Sequence, residues 1–248
     1  MNRWQKAQIN EKDFWKNRRN LKPLLRPEYK DYINFIKKYI SLNKNTKILE
    51  IGCGTQTLVE EMAGNLYGLD PLMNYFLSSY PMNKKVQWGQ GVGESMPYKK
   101  NFFDLVIIGN VLDHTENPVK VVEEVYRCLK PKGYFFLIQN CYDSQLTRFK
   151  KFMEKINLGD TCHPHTFTLD NIRGMLLDKG QKIVSEREGF NISSSYELEP
   201  NSKKINRLVK EKGIIYLIKQ STIKILSYLP KKIFKTYSLY IFMTRKNP

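Results

Sequence analysis

The chain has 248 residues, 41% of them hydrophobic, and a formal net charge of +17. That hydrophobic content excludes a disordered chain, and no apolar run approaches the ~18 residues of a membrane span. The four cysteines (Cys53, Cys128, Cys141, Cys162) lie scattered with no Cys-x-x-Cys pair and read as reduced thiols in a cytoplasmic protein.

The charge is uneven along the chain. Residues 1–47 carry 13 Lys/Arg against 4 acids, residues 201–248 carry 12 against 1, and residues 48–200 carry 16 against 19. Basic flanks can face nucleic acid, an anionic membrane or an acidic substrate, or can simply fill exposed positions with lysine. Charges and Trp4 stand where a signal peptide would be apolar. Residues 1–43 read as a helical preface: Trp4, Phe14, Trp15 and then Tyr32, Ile33, Phe35, Ile36, Tyr39 recur near helical spacing, with Pro23 and Pro27 dividing two pieces.

Ile48-Leu49-Glu50-Ile51 reads as a short buried strand that ends in the turn Gly52-Cys53-Gly54. Leu58, Val59 and Met62 then predict an amphipathic helix with free amides at its start. Sixteen residues after Gly54, Asp70 closes a second strand, Leu66–Leu69. Its carboxylate can accept both hydroxyls of a ribose, or can cap a helix opened by Pro71. The third glycine of a dinucleotide fingerprint would stand at Thr57, and no Gly-Lys-Ser/Thr follows. This argues against a nicotinamide oxidoreductase or a phosphate loop and leaves a nucleoside cofactor without a demanding phosphate.

Val86-Gln87-Trp88 predicts a third strand, and Phe103–Ile108 a central one with Asp104 as a structural acid. The stretch Gly109–His114 lies at its carboxyl tip, where ligands bind in open α/β sheets. Pro118–Lys130 reads as a helix with Val119, Val122, Val125 or Tyr126, and Leu129 on one face, stopped by Pro131-Lys132-Gly133. Tyr134–Ile138 is the fifth strand. Residues 141–170 break the regular pattern. His163 and His165 lie there without a visible partner cluster, so no metal site is expected. Thr168 predicts an N-cap for a helix running to Lys179, Gly180 its end, 181–186 a sixth strand, and Tyr237–Thr244 the last. Residues 191–234 read as a helical insertion, either a cap on the core or a basic, apolar pair lying on an anionic membrane.

Taken together, several motifs resemble the class I S-adenosylmethionine-dependent methyltransferases in their small-molecule branch: Leu49–Gly54, Gly68-Leu69-Asp70, Gly93–Tyr98, Phe103–Val106, Val111–His114 and Glu124–Gly133. They run in the family's order and at its usual spacing over about residues 44–140. The resemblance implies a Rossmann-like, doubly wound, seven-stranded and mostly parallel sheet with its last strand antiparallel. The domains would be a preface or lid at 1–43, a core at 44–190, an insertion at 191–234 and a final strand and tail at 235–248.

It also implies S-adenosylmethionine as cofactor and S-adenosylhomocysteine as product. Backbone of Gly52, Cys53, Gly54 and Asn110 would meet the methionine part, with Glu50 ordering the loop and Cys53 a packing residue. Asp70 would take the ribose, and Pro71 or Leu72 the adenine face. Two positions depart from the pattern. Gln56 replaces a small residue and points outward or contacts ligand. Val92 replaces an Asp or Asn, leaving adenine to the backbone around Gly93, to Glu94, or to packing.

His114 would be a general base or a loop anchor. Trp15, Tyr29, His163 and His165 would line the substrate mouth or merely pack and anchor. The expected function is methyl transfer to a small-molecule or lipid-like acceptor in a cytoplasmic protein, with peripheral contact to an anionic membrane and no nucleic-acid partner. The alternative is a non-catalytic or RNA/protein-directed relative working through the basic flanks.

Overall fold

The structure is a computed structural model, and it describes residues 3–16, 28–155, 163–178, 181–189 and 237–248. The expected insertion at 191–234, Cys162 and the Gly180 helix end lie outside the described residues. In chain order the elements are α1 (Arg3–Lys16), α2 (Glu28–Ile36), β1 (Lys47–Ile51), β2 (Asn65–Asp70), α3 (Met73–Ser79), β3 (Val86–Gln90), β4 (Phe103–Gly109), α4 (Pro118–Cys128), β5 (Leu129–Tyr142), α5 (Ser144–Lys155), α6 (Leu169–Leu177), β6 (Lys182–Glu188) and β7 (Tyr237–Arg245).

The seven strands form one sheet in the order β3-β2-β1-β4-β5-β7-β6. The pairs from β3 through β5 are parallel, and β7 inserts antiparallel between β5 and β6. The sheet is covered on both faces, which is why its central strands are apolar throughout rather than alternating. Alternate residues of β4 go to opposite sides. Val106 and Ile108 join Leu49, Val121, Val125 and Phe135 in one buried cluster, while Leu105 and Ile107 join Ile48, Ile36, Phe136 and Ile241 in the other. Asp104 ties two strand ends together, accepting the Lys47 N–H at 2.8 Å and pairing with Lys130 Nζ at 2.6 Å, which is the structural part expected of it.

Four expectations need correction. The helix expected after Gly54 is only a 3-10 turn, Val59–Glu61. Ten residues separate Gly54 from β2. A helix of ten residues covers about 15 Å, less than the ~17 Å of a five-residue strand, with nothing left for the turns at either end. The segment must therefore run more extended. In the fourth helix Val119 is 45% exposed, and Val121 joins the expected Val122 and Val125 on the buried face instead. The fifth strand begins at Leu129, which pairs with Phe103 ahead of a register shift. The stretch after Tyr142, expected to be irregular, contains α5.

Candidate active site

Each motif loop lies at the carboxyl end of a strand. Gly52 follows β1 with φ +65°, and its N–H donates to the Leu69 carbonyl at 2.8 Å, locking the turn to β2. A Cβ at Gly52 would come within 2.4 Å of a Val111 methyl, so only glycine fits. Gly54 has φ +56° and lies under the Trp15 ring, which a Cβ there would approach to 3.2 Å. The Glu50 carboxylate reaches up from β1 and accepts the Val59 N–H at 3.1 Å, ordering the loop.

At the tip of β2 the Asp70 carboxylate accepts the Gly54 N–H at 3.0 Å with one oxygen and the Leu72 N–H at 2.8 Å with the other. Burial pushes its pKa up from the usual 3.8 to about 6, against the pull of those two amides, and the nearby Glu11 charge adds to the rise. Burial also drives the Cys53 thiol well above its usual range, helped by the charges of Asp70 and Glu50. With Met73 and Phe76 around it, Cys53 is a packing residue.

α1 lies across this end. Trp15 meets Phe76 and Tyr80 edge-on at 5.4 and 6.2 Å, its Nε1–H donates to Glu11, and Tyr80 donates its hydroxyl proton to the Trp15 carbonyl at 2.6 Å. Tyr29 on α2 donates to the Gln56 carbonyl at 3.0 Å. The Gln56 side chain turns inward, and its Oε1 is buried without a hydrogen-bond partner.

At the tip of β4, Asn110 adopts φ +56°. Its N–H donates to the Ile138 carbonyl, and its Oδ1 accepts from Asn140. The chain then makes a 3-10 turn, Leu112–His114, closed by Thr115, whose hydroxyl donates to the Leu112 carbonyl at 2.8 Å. The 163–168 loop is fixed over this turn. The His165 N–H donates to the Asp113 carbonyl, and the Tyr142 N–H to the Phe167 carbonyl. Thr168 and Asn171 form a reciprocal capping box that starts α6. This places the His163 ring centroid 4.5 Å from that of His114.

These loops enclose one cavity of about 500 Å³, ample for a small molecule. Of the cofactor candidates, Glu50, Gly52, Cys53, Gly54, Asp70 and Pro71 line it from β1 and β2, and Gly93, Glu94 and Asn110 from β3 and β4. His114, His163, Trp15 and Tyr29 line it as well.

Two candidates do not. Leu72 packs against the Cys53–Met73–Phe76 cluster, so Pro71 is the one that faces the cavity. His165 lies outside, its Nε2–H donating to the Glu116 carbonyl at 3.2 Å, and is a loop anchor. One Glu94 oxygen is committed to the Glu116 and Asn117 amides, at 2.7 and 3.0 Å. Val92 is not part of the wall, which passes through Gly91 and Gly93 instead.

Sequence reasoning missed Asp113, which it met only as part of the Val111–His114 motif. It is 3% exposed, its Oδ1 has no hydrogen-bond partner, and it stands with His114 and His163 in a three-ligand cluster. The absence of a partner cluster for His163, expected from the sequence, is thus corrected: its partners lie fifty residues upstream. Spacing along the chain cannot show this; long-range bonds bring the segments together, from the His165 N–H to the Asp113 carbonyl and from its ring to the Glu116 carbonyl.

The arrangement fits an adenosyl-sulfonium compound. A buried carboxylate at the second strand tip keeps free lone pairs for a diol, two glycines leave main chain bare, and the Gln56 carbonyl oxygen of the side-chain amide is unpaired in the wall.

Comparison with known proteins agrees. Residues 49–137 match the family model described as a methyltransferase domain. The chain is similar to the sterol 24-C-methyltransferase of Kluyveromyces lactis (26% identity, 59% of this chain and 43% of that protein) and to cycloartenol-C-24-methyltransferase 1 of Oryza sativa subsp. japonica (24%, 55% and 44%). The matches span less than half the length of those relatives. Among solved structures, the S-adenosyl-L-methionine complex of Haemonchus contortus phosphoethanolamine N-methyltransferase 2 superposes with a TM-score of 0.56 at 14% identity, over 88% of this chain and 53% of that one.

Proposed function

We infer that this chain, whose residues 49–137 match a methyltransferase-domain family model, is a class I S-adenosylmethionine-dependent methyltransferase that methylates a small-molecule or lipid-like acceptor. The observation that carries this reading is the single cavity joining Asp70 and the glycine turn at one end to His114 at the other. When bound, the cofactor supplies a methyl group already activated on a sulfonium. The protein's own task is then proximity and alignment. Asp70 would hold the ribose, the Gly52–Gly54 turn and Asn110 backbone the methionine part, and α1 shuts water out through Trp15. His114 and His163 face the acceptor.

Aromatic and apolar side chains (Trp4, Phe14, Trp15, Tyr29, Ile138) make much of the wall, which suits a greasy acceptor, and two of the similar proteins are named as sterol and cycloartenol methyltransferases. The reading also places the protein in the cytoplasm, touching anionic membranes through its basic ends; no helix among the described residues is long and apolar enough to cross one.

The test is calorimetric titration with S-adenosylmethionine and S-adenosylhomocysteine, with NAD as control, followed by a screen of sterol, lipid and small hydroxylated acceptors. Stoichiometric binding of both sulfur nucleosides and none of NAD is expected. A folded sample that binds neither overturns the reading. Cosedimentation with anionic and neutral vesicles tests the membrane contact, which predicts retention by the anionic set alone.

A further inference from the structure

We propose that Asp113, His114 and His163 form a divalent-cation site at the acceptor end of the cavity, taking a first-row transition ion such as Zn²⁺ or Mn²⁺ and offering it to an oxygen of the acceptor. One ligand atom from each residue lies within 4.8 Å of the other two. In a formed site, bonds of about 2.1 Å set the donors roughly 3–4 Å apart, so closing this one asks for about an ångström of side-chain movement.

The second observation is independent of that geometry. Asp113 is 3% exposed, and its Oδ1 has no hydrogen-bond partner. The other two buried acids at this edge of the sheet are served by main-chain amides, Glu50 by Val59 and Asp70 by Gly54 and Leu72. Burying a carboxylate without such service is costly unless a cation stands against it. The neighbouring groups are two imidazoles with ring centroids 4.5 Å apart and planes at 58°. Neutral imidazoles offer lone pairs to a metal at that spacing.

The fold builds the cluster without help from an ion. Asp113 and His114 belong to one 3-10 turn, and the His165 N–H bond to the Asp113 carbonyl holds His163 beside them. His114 and His163 both line the cavity, so the remaining coordination positions open toward it. Three protein ligands with open positions is the pattern of a metal that meets substrate, and two imidazoles with one carboxylate select Zn²⁺, Mn²⁺ or Fe²⁺ over Mg²⁺ and Ca²⁺. The acceptor implied is one with a hydroxyl near the atom to be methylated. That last step rests on the methyltransferase reading; the binding of the ion does not.

Full-length protein stripped with a chelator is titrated with Zn²⁺, Mn²⁺ and Mg²⁺ by calorimetry without cofactor, and with Co²⁺ by visible absorbance. One equivalent of Zn²⁺ and of Mn²⁺ should bind, with Mg²⁺ silent and Co²⁺ giving ligand-field bands. His163→Ala and Asp113→Asn should each weaken Zn²⁺ at least ~100-fold and erase the Co²⁺ bands, while His165→Ala leaves both unchanged. Should Asp113→Asn fail to fold, His163→Ala on the partly exposed loop still decides. Absent stoichiometric binding in a cooperatively melting sample, or binding that survives in His163→Ala, overturns the proposal. Cofactor titration of the same sample separates the two ideas: cofactor binding without metal binding sinks only the metal site, and metal binding without cofactor binding sinks only the methyltransferase reading.

Discussion

At the cofactor end of the cavity the working parts are mostly main chain. Two left-handed glycines, the amides of Gly54, Leu72 and Val59, and two buried carboxylates that hold those amides all lie within one β-turn-β unit, residues 47–72. At the acceptor end the working parts are side chains: His114 and Asp113 from a turn after β4, His163 from a loop fifty residues later, and Trp15 and Tyr29 from the preface. The first end is rigid because its geometry is set by the sheet. The second is assembled from separate segments and can change its acceptor without disturbing the first. A fold of this kind keeps the cofactor end fixed and varies the other.

The sharpest way to break the rigid end is Gly52→Ala. The new methyl meets Val111 at 2.4 Å and must hold φ +65°. Strain and overpacking together should cost about 3 kcal/mol, read as a drop in the denaturation midpoint. Adding Val111→Ala should restore only the steric share, about half, because the backbone strain remains. Full recovery in the double variant would show that the backbone conformation is not strained.

Asp70→Ala comes next. It removes the carboxylate proposed to take the ribose and strands two amides. Cofactor affinity should fall about 30-fold and stability by about 2 kcal/mol, measured by calorimetry and chemical denaturation. Unchanged affinity would remove Asp70 from the site. The same residue predicts a pH dependence. Its folded pKa is about 6 against a usual 3.8, so the folded chain holds this proton more tightly than the unfolded one. This group therefore subtracts stability as pH rises from about 4 to about 6 and returns it on acidification. Cofactor affinity runs the other way. It should weaken below about pH 6, approaching tenfold per unit, as the carboxylate that receives the ribose is lost. Asp70→Asn should flatten that profile.

The same division explains what the sequence made legible. The glycine turn, the place of Asp70 and the central strands were readable because each is a local pattern, a short apolar run ending in a residue that the turn requires; the antiparallel last strand followed only from the family resemblance. Thr168 was readable for the same reason. The helix after Gly54 was misread because periodicity at Leu58, Val59 and Met62 says nothing of the distance the segment must cover. Val119 was misread because Val119, Val121 and Val122 are equally apolar, and only the packing of α4 on the sheet chooses among them. The meeting of His163 with Asp113 and His114 was hidden because it depends on long-range hydrogen bonds of its loop, and the role of His165 because its partner is a main-chain carbonyl, which any residue could supply.

His165 gives the smallest effect and the finest division of the acceptor end. It lies two residues from His163, shares its chemistry, and faces away from the cavity toward the Glu116 carbonyl, with its ring stacked on Phe167. His165→Ala removes one side-chain hydrogen bond and a partly exposed ring contact. The cost should be about 1 kcal/mol, with cofactor affinity unchanged. Its backbone N–H, which holds Asp113, survives the substitution. His165→Pro deletes that N–H as well, so it should cost more and also loosen His163 from His114. Measuring both separates what the side chain does from what the main chain does: if proline is no worse than alanine, the bond to Asp113 is not what assembles the acceptor end.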